Sequence, residues 1–178
     1  TFLLSWRELE NELAQEIFRM CGFCAPNSPV PWTVWEAAWE GEDVSEAALD
    51  RAVERLGELG LATISEPGPS VHPLLADFGR LLEGEREAQT ALERLANGLA
   101  RAGSRANMSG FPAAFFPLRT HIETAARAVE AVNPESAAAL FNSLGYHEDT
   151  VGEYIKAKVH YEQALEIRRD VLGEPHPN

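Results

Sequence analysis

The chain has 178 residues, is 45 % hydrophobic and carries a formal net charge of −13. That is enough material for one or two globular domains. An acidic surface repels phosphate backbones, which argues against sequence-independent nucleic-acid binding. No apolar run approaches the ~20 residues that span a bilayer.

The charge is uneven. Residues 1–85 hold 5 Arg against 16 acids (−11), and residues 86–178 hold 10 Lys+Arg against 12 acids (−2). The start, Thr1-Phe2-Leu3-Leu4-Ser5-Trp6, has no basic leader and no initiator Met, so it reads as a cut within a longer protein. Cys21 and Cys24 are too few for a disulfide framework, and with no signal sequence they point to the reducing cytoplasm.

In chain order, Glu8 to Phe23 predicts a helix, with Leu9, Leu13, Ile17, Met20 and Cys21 on one stripe. The prolines at 26 and 29 end it. Pro31 to Trp39 predicts a short helix with Trp32, Trp35 and Trp39 on one face. Asp43 is expected to cap a third helix, Glu46 completing a capping box and Gly60 closing it. Then come a short strand (Leu61 to Ile64), a turn at Pro67-Gly68-Pro69, a second strand, and a helix from about Pro73 to Leu82. Glu83-Gly84-Glu85 reads as a joint.

The rest predicts only helices. Arg86 to Ala102 is one, residues 103–110 form a loop, and Ala114 to Val132 is another. Asn133 caps a further helix with Pro134 in its first turn. Phe141, Leu144, Gly145, Gly152, Tyr154, Ala157, Tyr161 and Ala164 match the spacing of a tetratricopeptide (TPR) unit. Small residues at 145, 157 and 164 would let two helices approach closely. The tail from Leu165 to Pro177 resembles the longer TPR variant of kinesin light chains. One unit cannot bury its own face, so further repeats are expected beyond Asn178.

The expected architecture is mainly α. A winged-helix domain (residues 1–83) has three helices and a two-stranded wing. A helical linker or degenerate repeat (84–133) and a TPR unit (134–178) follow.

The order of phrases in the first half resembles the winged-helix segment of NB-ARC (STAND-class) signalling ATPases. This family includes plant disease-resistance proteins, the apoptosome scaffold protein and bacterial NB-ARC–TPR regulators. Leu4-Ser5-Trp6-Arg7-Glu8-Leu9 resembles the family's LSY-x-x-L phrase. Phe18 to Pro26 resembles F-x-x-C-A-x-F-P, and Val71-His72-Pro73-Leu74-Leu75 resembles M-H-D-L, with Pro73 replacing the family's Asp. The resemblance implies that His72 senses the β-phosphate of ADP bound to a neighbouring module of the complete protein. ADP or ATP is thus implied for that protein. This chain holds no G-x-x-x-x-G-K, and its only lysines are Lys156 and Lys158. No nucleotide cofactor is therefore expected for the chain itself.

Several residues have two readings. His72 is either a polar residue satisfied at a strand–helix junction or the nucleotide sensor. Cys21 and Cys24 have redox or half-zinc spacing, or are simply packed. The three tryptophans are a ligand cage or core. The third helix occupies the DNA-recognition position of a winged helix but exposes Glu46, Asp50, Glu54 and Glu58 against Arg51 and Arg55. By TPR analogy Asn142, Tyr146 and Asp149 line a peptide groove, where an Asn can bond an extended backbone. His121, His147, His160 and His176 read as scattered, and neither H-E-x-x-H nor G-x-S-x-G occurs.

The expected function is that of a non-catalytic regulatory and protein-interaction segment, with neither catalytic nor metal-binding residues. Its partners would be a protein or peptide at the TPR and an intramolecular nucleotide-binding domain, with neither membrane nor nucleic acid. The alternative is a DNA-binding transcription regulator with a TPR partner-binding domain.

Overall fold

A computed structural model describes residues 2–82 and 84–173. The described chain is mainly helical with one two-stranded antiparallel sheet.

The amino-terminal stretch forms two helices, where the sequence predicts one beginning at Glu8. α1 (Phe2–Arg7) stops, and α2 (Glu12–Cys21) starts afresh. Asn11 fixes the restart: its Oδ1 accepts from Ala14 N at 2.9 Å and caps α2. α3 (Trp32–Ala38) buries Trp35 completely. Trp39 follows it into the core, and Trp32 packs half-buried at the edge.

α4 (Glu46–Glu58) is capped by Ser45, not Asp43. Ser45 Oγ accepts from Ala48 N at 3.3 Å, because a cap reaches the amide three residues on.

β1 (Thr63–Ser65) pairs with β2 (Gly68–Ser70), with Ile64 opposite Pro69. The turn is Glu66-Pro67, one step earlier than predicted, and Gly68 and Pro69 belong to the second strand. Gly68 is required by a close approach. A Cβ there would lie 1.8 Å from Val30 O. The far edge of β2 is occupied too: Val30 N donates to Pro69 O, and Asn27 N donates to Val71 O, both at 2.8 Å. Proline suits β2 because its missing N–H is not needed there. α5 (Pro73–Leu81) follows with Pro73 in its first turn.

α6 (Glu85–Met108) is the longest helix and overturns the predicted loop over 103–110. Gly103 does not break it. A Cβ at Gly103 would lie 3.1 Å from both Ile122 Cδ1 and Ser143 Oγ, so the residue serves close helix packing. Asn107 Nδ2 donates to Ser143 O at 3.1 Å, which ties down the last turn. Only Ser109-Gly110 remains as a turn, with Gly110 at φ +73.

A 3-10 turn (Pro112–Phe115) leads into α7 (Phe116–Val129). Asn133 Oδ1 accepts from Ser136 N at 3.0 Å and caps α8 (Pro134–Thr150). A turn through Gly152 (φ +82) leads to α9 (Tyr154–Leu172). Gly145 lets the two helices close on each other; a Cβ there would sit 2.8 Å from the Tyr161 ring.

One apolar cluster runs from Leu9 to Ile167. α6 is its spine, packing on α2 and α3 and also on α7 and α8. Of the expected joint, Glu83 lies outside the described residues, as does the kinesin-light-chain-like tail from Glu174 onward. Contacts across that joint are broad. Gly98 lies against Val34 and Ala38, and Arg101 Nη1 donates to Ala37 O at 2.9 Å.

Candidate functional site

His72 stands between β2 and α5, exposed to solvent. Its Nδ1 accepts from Leu74 N at 3.3 Å, so the side chain caps the helix that Pro73 begins. An accepting Nδ1 leaves the ring proton on Nε2. The junction reading of His72 therefore has a hydrogen bond behind it, and the opposite ring edge is a donor. Nearby, Asp77 and Arg80 pair within α5, and Arg80 Nη1 also reaches Gly22 O.

Asn142, Tyr146 and Asp149 are all exposed on α8, yet they do not share one recess. Asn142 and Tyr146 face Ser104, Asn107 and Met108 of α6 across a groove of about 390 Å³. No charged side chain lines it, although the chain as a whole is acidic. Asp149 borders a separate trough along α9.

Cys21 and Cys24 are buried free thiols, with Cys24 Sγ 3.5 Å from Met20 O. Burial pushes the Cys21 thiol up to about 12. Burial and then the neighbouring Cys21 raise Cys24 well above the usual thiol range. Such thiols are poor nucleophiles and poor ligands, because both roles need the thiolate. Among the described residues no three His, Cys, Asp or Glu side chains gather as a metal site. Trp35 and Trp39 are core, and the Arg94 guanidinium lies 5.1 Å from the Trp39 ring centroid. On α4, Glu46, Asp50, Arg51, Glu54 and Glu58 are exposed, with Arg55 Nη1 2.8 Å from Glu58 Oε2.

Of the histidines that read as scattered, His176 lies outside the described residues, and His121, His147 and His160 are anchored in the interior. His121 on α7 is fully buried. Its Nδ1 accepts from Ala25 N at 3.2 Å and its Nε2 donates to Pro29 O at 3.1 Å. That side chain bolts α7 to the loop between α2 and α3. Burial lowers its proton affinity.

Glu148 on α8 is wholly buried. Its Oε1 accepts from Arg119 Nη2 of α7 at 2.8 Å, and its Oε2 meets His160 Nδ1 of α9 at 2.6 Å. Arg119 also reaches Glu153 Oε2 at 2.7 Å, which pairs with Lys156. These hydrogen bonds, Arg119 first and Lys156 second, hold Glu153 down to about 2. His147 stacks on Phe115 with centroids 4.4 Å apart. Burial and then Arg119 lower its proton affinity. One sequence signal marked this network. Phe141, Leu144, Gly145 and Glu148 fall on one helical stripe, so Glu148 occupies a position otherwise held by core residues.

The arrangement can position helices and offer surfaces. Glu148, Arg119, Glu153 and His160 are held by one another, while His147 Nε2 is buried without a hydrogen-bond partner among the described residues. In comparisons with protein-family models, curated proteins and solved structures, nothing matches this chain.

Proposed function

We propose that this chain is a non-catalytic regulatory and protein-interaction segment. Its first half would be a winged helix working against a nucleotide-binding module elsewhere in a STAND-type signalling protein. The observation that carries this is the β1–β2 hairpin between α4 and α5, with β1 against α4, α2 packed on both α4 and α5, and His72 at the hairpin's exit. With Nδ1 accepting from Leu74 N, the other ring nitrogen is left to donate, which suits a phosphate oxygen offered by a neighbouring module. The chain's own residues do not fit a nucleotide cradle. No glycine precedes a lysine, and both lysines lie on α9. Nucleotide would therefore be held by that other module.

The second half would act as a TPR-type sensor. Asn142 and Tyr146, with Ser104 and Asn107, offer neutral hydrogen-bonding groups to an extended peptide, while Asp149 lies outside that groove. The signal would pass as rigid-body leverage through α6, the helix both halves share. No helix among the described residues is long and apolar enough to cross a membrane, and buried free thiols suit the reducing cytoplasm where we place the protein.

DNA reading through α4 is disfavoured by its exposed carboxylates, which would face the phosphates.

The test is His72→Ala in the intact protein. The expected result is faster loss of bound ADP and a higher resting activity. ADP retention and resting activity equal to wild type would remove the sensor role. Tight, sequence-dependent binding of duplex DNA in a low-salt polarisation assay would reverse the ranking against the transcription-regulator reading.

A further inference from the structure

The loop between α2 and α3 is pinned from two sides that belong to different halves of the molecule. It runs Ala25-Pro26-Asn27-Ser28-Pro29-Val30, with Pro31 next. Its four backbone N–H groups are those of Ala25, Asn27, Ser28 and Val30, and three of them donate outside the loop. Ala25 N donates to His121 Nδ1 of α7 at 3.2 Å. Asn27 N donates to Val71 O and Val30 N to Pro69 O, both at 2.8 Å. His121 Nε2 also meets the Pro29 carbonyl at 3.1 Å, so the two ring nitrogens grip the segment at residues 25 and 29.

The segment resists bending. Prolines fix φ at positions 26, 29 and 31. Between them Asn27 takes a left-handed backbone, φ +58, alone among the described non-glycine residues. Asparagine tolerates that conformation where most side chains do not. The bend at Asn27 separates an amide that faces α7 from two that face the hairpin. Contact with the hairpin is close as well. A Cβ at Gly68 would lie 1.8 Å from Val30 O and 3.5 Å from Pro31 Cα. A hairpin with three residues in each strand is marginal by itself, so its position is set by what holds it. Val71, whose carbonyl the segment holds, directly precedes His72.

We propose that residues 25–30 are a strut through which His121 of α7 fixes the exit of the hairpin, and with it His72. A displacement of α7 pulls on residues 25 and 29. The proline-stiffened segment passes that displacement to the carbonyls of Pro69 and Val71 instead of absorbing it. The coupling is reciprocal, so moving the hairpin disturbs the His121 bonds equally. This is a connection between the halves in addition to α6, and it holds whether or not a nucleotide-binding module meets His72.

Amide hydrogen exchange of the 178-residue chain, read by NMR, tests the strut in His121→Gln. Val53 in the buried face of α4 reports global stability. Exchange at Asn27 and Val30 should rise roughly tenfold more than at Val53, as loss of a hydrogen bond allows. The Leu74 amide, which His72 Nδ1 holds, should change its chemical shift. Asn27→Val perturbs the strut at an exposed position and serves where the buried substitution unfolds the chain. A β-branched residue does not accept the left-handed backbone. That variant should move the nitrogen-15 signal of His121 Nδ1, although no bond joins residue 27 to the ring. In urea, Gly68→Ala should lower the midpoint less in the His121→Gln background than in wild type, because a released segment gives way to the new methyl. Any of four results overturns the proposal: exchange at Asn27 and Val30 that rises no more than at Val53, a Leu74 amide that stays where it was, a His121 signal indifferent to Asn27→Val, or a Gly68→Ala loss equal in both backgrounds.

Discussion

His160 on α9 places Nδ1 2.6 Å from the Oε2 of Glu148 on α8, at the seam of the helical hairpin. Glu148 is wholly buried, and its other oxygen is held by Arg119 of α7. One carboxylate therefore fastens three helices. Removing it leaves the His160 imidazole without its partner at the seam and Arg119 held by Glu153 alone. Glu148→Ala should cost about 3 kcal/mol, as loss of one partner from a buried ionic network does. Urea unfolding followed by circular dichroism measures this. Replacing Glu148, Arg119 and His160 together by Leu, Met and Phe should recover most of that loss, because no buried charge is then left unpaired.

His121 makes acid sensitivity a property of the contact between the two halves. Its folded-state proton affinity lies below the ordinary value of 6.5, through burial. The unfolded chain therefore binds the proton first as pH falls. The stability contributed by neutral His121 is full above about 6.5 and is lost as pH drops through the lower folded value. Protonation also removes the acceptor for Ala25 N. His147 shifts in the same direction. A urea midpoint measured against pH should fall below about pH 6.5, and His121→Gln should flatten part of that acid limb while lowering the plateau above it. An unchanged limb would show that His121 does not titrate with unfolding.

Two glycines should respond differently to alanine. At Gly98 the new methyl would lie 2.9 Å from Val34 O and 2.9 Å from Ala38 Cβ, so α3 and α6 must part. We expect a loss of about 2 kcal/mol, in the range for overpacked cores. At Gly145 it would meet the Tyr161 ring at 2.8 Å. That ring is only half-buried and can swing outward, so the cost should be below about 1 kcal/mol, offset by alanine's better helix propensity. Thermal midpoints of the two variants give the comparison.

Cys21 and Cys24 should resist a thiol reagent at neutral pH in the folded chain and react in urea. Both are buried, and Cys21 is held protonated up to about 12. Labelling followed by mass measurement reads this directly. Rapid native labelling of either thiol would contradict the packing described.

The helix-rich class, the hairpin before α5, and the caps at Asn133 and Pro134 followed from local chemistry. A side-chain oxygen near a free amide, a proline in a first turn, or a repeated apolar spacing acts within a few residues. The same locality explains the misplacements. Asp43 and Ser45 both suit a cap, and only the settled backbone chose Ser45. Gly103 looked like a loop glycine because sequence carries no trace of Ile122 and Ser143 pressing on it.

The site reading divides in the same way. Asn142 and Tyr146 share a helix face by spacing alone, but their separation from Asp149 depends on where α6 and α9 lie.

By itself, then, the sequence determined that the chain is mainly helical, that a short hairpin precedes α5 and that Pro73 opens that helix. Each of those rests on interactions between near neighbours in the chain. Only the tertiary structure decided that α6 runs unbroken as a shared spine, that His121 reaches Ala25, and that Glu148 joins Arg119 to His160. Those pairs are far apart in the chain or on different helices. A buried polar group must find its partner wherever packing brings one, and packing is a property of the assembled molecule.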